Sequence, residues 1–196
     1  IGVGKTSLAR RLAESFETDL VLEGSDENPF LERFYEDSRA GALPTQLFFL
    51  FQRARQIEAM RQADMFQPVR VADFMMEKDY LFAELTLDAE ELKLYQQVYD
   101  HVTVDAPVPD LVIYLQASTP VLLDRIRRRN LPFEKPIDTD YVEMLNNAHD
   151  YYFFHYTETP LLVVKTDQID FVKNAEHFDD RLEQIGKPLS GKKYYV

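Results

Sequence analysis

Apolar and polar positions alternate along this chain in two distinct rhythms. From Lys5 to Phe16 the apolar residues Leu8, Leu12 and Phe16 recur at every fourth position, which predicts a helix with one buried face. Asp19 to Glu23 reads D-L-V-L-E, a short apolar run closed by an acid, and predicts a strand. Asn28-Pro29 predicts the start of a helix, with asparagine as N-cap and proline at the first helical position. A long helix is expected from Pro44 to Met65, apolar early and charged late. Val69 to Asp73 predicts the next strand. Asp88 and Glu91 have capping-box spacing and open a helix to Asp100. Leu111 to Leu115 (L-V-I-Y-L) is a continuous apolar run of the kind buried on both sheet faces. Thr119-Pro120 opens a helix ending in Arg127, Arg128 and Arg129. A helix around Tyr141 to Tyr156, a last strand from Leu161 to Val164, and a polar helix from Phe171 to Ile185 complete the pattern.

Short apolar strands separated by helices imply a parallel sheet covered on both faces, a three-layer α/β fold. The 196 residues suit a single domain, with no repeat or linker. The chain opens inside a motif, so a further short strand and a glycine are expected ahead of Ile1. A net charge of -12 argues against nucleic-acid polymers as partners, although a local basic pocket still admits a small anion. The chain has no cysteine, which excludes disulfides and thiolate metal sites. No apolar run reaches the ~18 residues of a membrane span, so a cytoplasmic protein is expected.

The opening Gly2-Val3-Gly4-Lys5-Thr6-Ser7 supplies the second half of G-x-x-x-x-G-K-[ST]. Glycines let backbone N–H groups turn inward around phosphate oxygens, and the helix that follows points its positive end at the same anion. Lys5 is suited to the β- and γ-phosphates of ATP, and the Thr6 hydroxyl to Mg²⁺. The sequence thus points to phosphoryl transfer.

Arg125, Arg127, Arg128 and Arg129 form the most basic stretch. They fit a lid whose guanidinium groups offset charge on a transferring phosphate; the competing reading is basic residues favouring a helix C-terminus. Glu23 ends a strand, where ligand-facing groups of open α/β sheets lie, and can accept a proton from an attacking hydroxyl. Asp26 and Glu27 compete for that role. Asp73 ends the next strand and is a candidate to hold Mg²⁺ through water or to contact substrate. Gln46, Phe49 and Arg53 fall near one helix face, an amide, a ring and a guanidinium able to read and stack a base; taken alone, the stretch reads more simply as phenylalanine core with exposed polar residues. The four histidines show no metal spacing.

These motifs together resemble the deoxynucleoside kinase family, in particular its bacterial deoxyadenosine/deoxyguanosine branch. The resemblance spans I-G-V-G-K-T-S-L-A, E-N-P-F-L-E-R-F-Y-E-D, T-Q-L-F-F-L-F-Q-R, V-A-D-F-M-M-E-K-D-Y-L-F-A, R-I-R-R-R-N-L-P-F-E and T-D-Q-I-D-F. It implies Glu23 as general base on a 5′-hydroxyl, and Tyr35 with Glu134 on the sugar 3′-hydroxyl. It implies Gln46 on the base, with Phe49 and Arg53 in the same pocket and Asp79 setting base preference. It further implies Arg125 and Arg129 as phosphate-contacting lid residues, with Arg127 beside them, and the Asp167–Phe171 loop near the ATP adenine. Members are commonly dimers. Two departures stand out. The family's acid-Arg-Ser becomes Asp73-Phe74-Met75, and its lid R-G-R becomes Arg129-Asn130-Leu131. Each removes a positive charge; Arg127 or Arg128 is the compensation the sequence offers.

The expectation is therefore an ATP- and Mg²⁺-dependent kinase of a deoxynucleoside 5′-hydroxyl, with a purine lean, working as a homodimer. The alternatives are a kinase of another small acceptor such as a nucleoside monophosphate, and a non-catalytic nucleotide-binding switch.

Overall fold

The computed structural model describes residues 1–62, 69–103, 107–168 and 190–195. In chain order it holds α1 (Lys5–Ser15), β1 (Asp19–Val21), a 3-10 turn (Ser25–Glu27), α2 (Leu31–Glu36), α3 (Ser38–Gln62), β2 (Arg70–Ala72), α4 (Glu77–Thr86) and α5 (Ala89–Val102). Then come β3 (Val112–Gln116), α6 (Thr119–Arg129), a second 3-10 turn (Pro132–Glu134), α7 (Thr139–His155), β4 (Leu161–Lys165) and β5 (Lys192–Tyr195). The expected helix from Phe171 to Ile185 and the last residues of the long helix, to Met65, lie outside the described residues. The architecture is α/β, with helices around parallel strands that pair as β1-β2 and as β3-β4-β5. No helix among the described residues is long and apolar enough to cross a membrane.

The chain divides into two compact units. The first comprises Ile1–Ser15, Val108–Asn130 and Asp138–Val196. Its middle strand, β4, runs parallel to both neighbours, with Val163 opposite Tyr114 on one side and Tyr194 on the other. Leu161, Leu162, Val163 and Val164 are all buried, so both faces of this sheet are covered, as the apolar run demands. β5 was not anticipated. Its K-K-Y-Y sequence lacks an apolar run because it is an edge strand, where lysines are favoured. Lys192 Nζ donates to the carbonyls of Phe153 (2.9 Å) and Phe154 (2.5 Å), which end α7.

α1 buries Leu8, Ala9, Leu12 and Ala13. Phe16, expected on the same face, is 38% exposed. The helix stops at Ser15, and Glu17 turns left-handed at φ 49°, so Phe16 leaves the helical register. α6 starts as read, from Ser118 with proline in its first turn. It ends at Asn130, φ 51° and ψ 40°. Asparagine is the usual substitute for glycine in this left-handed C-terminal conformation. The lid's departure from R-G-R therefore keeps the backbone turn and changes only the charge at Leu131. α7 begins two residues earlier than expected, because the Asp138 carboxylate accepts from Tyr141 N at 2.8 Å and caps it.

The second unit comprises Phe16–Pro107 and Leu131–Ile137. Here β1 and β2 pair in parallel, Leu20 opposite Val71. Asn28 is not a helix cap. Its Oδ1 accepts from Phe30 N (3.0 Å) and its Nδ2 donates to Thr45 O (3.2 Å), an Asx-turn that pins the start of α2 against α3. α3 likewise begins before Pro44. Asp37 Oδ1 accepts from Arg39 N (3.2 Å) and Ala40 N (3.3 Å), so the helix nucleates at Ser38 and Pro44 lies inside it. A side chain at Gly41 would sit 2.6 Å from Phe34 Cα, which is how closely α2 and α3 approach. The Asp88–Glu91 capping box forms as read. α4 was not anticipated; its sequence interleaves charged and apolar residues, and Lys78 and Asp79 are buried.

Candidate functional site

The first unit carries the phosphate loop. Gly2 and Gly4 adopt φ 71° and 100°, conformations that L side chains rarely enter. A Cβ at Gly2 would meet Ile126 Cγ1 at 3.0 Å and Leu122 O at 3.1 Å, so α6 packs directly on the loop. The Gly4 carbonyl accepts from Leu8 N (3.1 Å) as the first hydrogen bond of α1. Lys5 and Thr6 thus stand at the positive end of a helix, beside a turn that glycine makes accessible.

The arginines of α6 separate by face. Arg125 Nη1 donates to Val3 O (3.3 Å) and Thr166 Oγ1 (3.1 Å), and its Nη2 donates to Thr166 O. Thr166 is fully buried and its N–H bonds Gln116 O at 2.7 Å. Arg125 therefore ties the phosphate loop to the ends of β3 and β4. Arg129, one helical turn on, shares that face. Arg127 lines an open groove with Thr119, Pro120, Leu123, Thr139 and Glu143. Arg128 pairs with Asp124 at 2.8 Å on the surface, a contact of small energetic weight. Asp167 Oδ1 accepts from Ser118 N at 3.0 Å, and hydrogen bonds from the Ser118 side chain and backbone hold its carboxyl below the ordinary carboxylate value.

The second unit holds a buried charge cluster. α3 turns Ala42, Thr45, Gln46, Leu50, Arg53 and Ile57 inward, at helical spacing, while Phe51 is 42% exposed. This reverses the reading of an exposed polar edge over a phenylalanine core. Gln46 and Arg53 are the buried residues, and they stay buried because each finds a partner. Gln46 Nε2 donates to Thr86 Oγ1 at 3.3 Å. Arg53 forms ion pairs with Glu23 Oε1 and Asp79 Oδ1, and its guanidinium lies 5.2 Å from the Phe49 ring centre and 5.8 Å from that of Phe74. Burial pulls the Arg53 guanidinium down to about 10, opposed by Tyr95 and Asp73, so it remains a cation at neutral pH.

Glu23 is set in place from three sides. Arg53 binds its carboxylate, Lys78 Nζ lies 3.8 Å from Oε1, and its backbone N–H donates to Asp73 Oδ1 at 2.8 Å. Asp73 thus braces the loop after β1 from the end of β2. Asp26 and Glu27, the competing acids, are exposed on the 3-10 turn, where Glu27 accepts from Gln52 at 2.9 Å. Glu134 is buried in its own 3-10 turn, which packs on α2, the helix that carries Tyr35. Lys78, Phe74 and Thr86 were missed as members of this cluster. The available signal was Lys78 preceding Asp79 in D-F-M-M-E-K-D, where Asp79 alone was singled out.

Comparison with known proteins agrees across the chain. The deoxynucleoside kinase family model matches residues 1–190. The chain is 37% identical over 187 residues to a deoxyguanosine kinase of Bacillus subtilis, covering 91% of this chain and 89% of that protein. It is 30% identical over 207 residues to a deoxyadenosine kinase of Lactobacillus acidophilus, covering 95% and 94%. Deoxyadenosine kinase of M. mycoides, solved with bound dATP, superposes with a TM-score of 0.78 at 21% identity over 95% of each chain, a likeness of fold. A phosphate loop on one unit and a buried carboxylate cluster on the other are what such an enzyme needs, and the chain belongs to the deoxynucleoside kinase family, whose members phosphorylate deoxynucleosides at the expense of ATP.

Proposed function

We propose that this enzyme acts on an uncharged purine deoxynucleoside, with Glu23 as the general base on its 5′-hydroxyl. The observation that carries the reading is the charge of the acceptor cluster. Among the described residues this cluster gathers the carboxylates of Glu23, Asp73 and Asp79 around the cations Arg53 and Lys78. Such a centre repels an acceptor that already bears a phosphate, which counts against a nucleoside monophosphate. The hydroxyl oxygen bonds to the γ-phosphorus, the bond from γ-phosphorus to the β–γ bridging oxygen breaks, and ADP leaves. The hydroxyl proton passes to the Glu23 carboxylate. Lys5 and the loop amides hold the triphosphate, and Arg129 offsets charge on the transferring group.

The purine lean follows the relatives named for deoxyguanosine and deoxyadenosine. Arg53 Nε and Asp79 Oδ2, buried with no hydrogen-bond partner among the described residues, suit an acceptor and an N–H on a base edge, with Gln46 alongside and Phe49 to stack. Thr6 suits Mg²⁺, a hard oxygen donor at the head of α1. When bound with the triphosphate, the ion would supply charge neutralisation there. The homodimer reading rests on α3 and its exposed Phe51; sedimentation velocity tests it.

Glu23→Gln is expected to lower kcat by about 10²–10⁴-fold with a small change in substrate affinity. An unchanged kcat removes Glu23 from the role. ADP release measured with each of the four deoxynucleosides and with their monophosphates tests the acceptor. Purine deoxynucleosides are expected to be turned over fastest; release without any acceptor would point to a nucleotide-binding switch.

A further inference from the structure

We infer that Lys78 is a positioning residue for Glu23, supplying from α4 the positive charge that the sequence lacks at Phe74. This rests on the reading of Glu23 as base. Position 74 carries a phenylalanine, whose ring lies under the Arg53 guanidinium and so serves stacking. The sequence offered Arg127 and Arg128 as replacements, but neither belongs to the unit that holds Glu23. Arg127 lines the α6–α7 groove and Arg128 pairs with Asp124. Lys78 does belong to it. It is 8% exposed, its Nζ is 3.8 Å from Glu23 Oε1, and it lies 5.1 Å from the centre of the Phe82 ring. Lysine is seldom buried to this degree unless its charge is compensated.

The placement follows from the helix. α4 carries Lys78, Phe82 and Thr86 four residues apart, with Asp79 next to Lys78, and it packs against α3. Asp79 takes Arg53 and Thr86 takes Gln46, so two contacts fix the helix to α3, and Phe82 lies beneath the ammonium from the same helix. Among the described residues, the charged and titratable groups around the Lys78–Glu23 pair and its Arg53 partner include Arg53 from α3, Asp73 after β2, Asp79 from α4 itself and Tyr95 from α5. Arg53 is divided between Glu23 and Asp79. Lys78 approaches the same Oε1 that Arg53 holds, and its compact ammonium adds a second point charge that fixes the carboxylate as the proton arrives.

The test compares Lys78→Met, Lys78→Arg and Glu23→Gln in the full chain. Lys78→Met is expected to lower kcat about 10²-fold with KM for ATP unchanged. The acid limb of its kcat–pH profile should move to higher pH, because a cation beside a carboxylate favours the ionised form. Lys78→Arg should recover most of the rate and restore the acid limb. The double variant Glu23→Gln/Lys78→Met should be no slower than Glu23→Gln alone, since a residue acting through Glu23 has nothing left to position. If Lys78→Met fails to fold, Lys78→Ala with added ethylammonium takes its place, and dose-dependent recovery of rate is expected. A Lys78→Met enzyme at wild-type kcat beside an inactive Glu23→Gln enzyme overturns this inference and leaves the base assignment standing. An active Glu23→Gln enzyme overturns both. Loss of rate in Lys78→Met with no recovery by arginine or ethylammonium reduces Lys78 to packing and also overturns it.

Discussion

The phosphate loop and the acceptor cluster solve opposite problems of charge. In the proposed reaction the loop holds a highly charged anion, for which it offers backbone amides, a helix end and one lysine, all within Gly2–Ser7. Glycines at φ 71° and 100° shape it. The cluster, in the same proposal, holds a neutral molecule and takes one proton from it. It uses carboxylates and cations drawn from the loop after β1, from α3, from the end of β2 and from α4, buried and mutually paired. The loop is expected to tolerate loss of its lysine without unfolding. The cluster is part of the core of its unit, so function and stability cannot be separated there.

The comparison breaks most sharply at Lys5. Lys5→Ala is expected to lower kcat by about 10²–10³-fold, the loss typical of one preorganised group aimed at developing charge. Its urea midpoint should stay close to wild type. Arg53→Met should damage both properties. Removing one partner of a buried ion pair leaves carboxylates at Glu23 and Asp79 without their guanidinium, and the unfolding free energy should fall by about 3–5 kcal/mol, read from urea denaturation. If Lys5→Ala unfolds as readily as Arg53→Met, the contrast between the two regions is wrong. The smallest effect is expected at Asp167. Its carboxyl titrates lower in the folded protein than in the unfolded chain, so the stabilisation is present above the ordinary carboxylate range near about 4 and is lost as pH falls through the folded value. Asp167→Asn should lower the thermal midpoint slightly at pH 7, and the difference from wild type should shrink at pH 3.

The glycine turn and the helix it opens were legible in the sequence because their parts are contiguous in Gly2–Ser7. The strands were legible for a similar reason: L-V-I-Y-L and L-L-V-V state their burial locally. The acceptor cluster was only half legible. Buried Gln46 and Arg53 look like surface residues until their partners are known, and those partners lie on α4, which no periodicity announced. α4 has Lys78 and Asp79 on its inward side because paired charge replaces apolar contact there, and an apolar pattern cannot register that exchange. β5 escaped notice for the converse reason, since an edge strand has no need of an apolar sequence. Capping was readable where the box was complete, at Asp88, and missed where a single aspartate, Asp37 or Asp138, began a helix alone.

The bond from Arg125 to the Val3 carbonyl has a thermodynamic corollary. A loop already anchored to the ends of two strands does not have to be ordered by its guest. In the proposed enzyme, part of the entropy cost of arranging those amides is met when the chain folds, so nucleotide association is expected to need less rearrangement of this stretch.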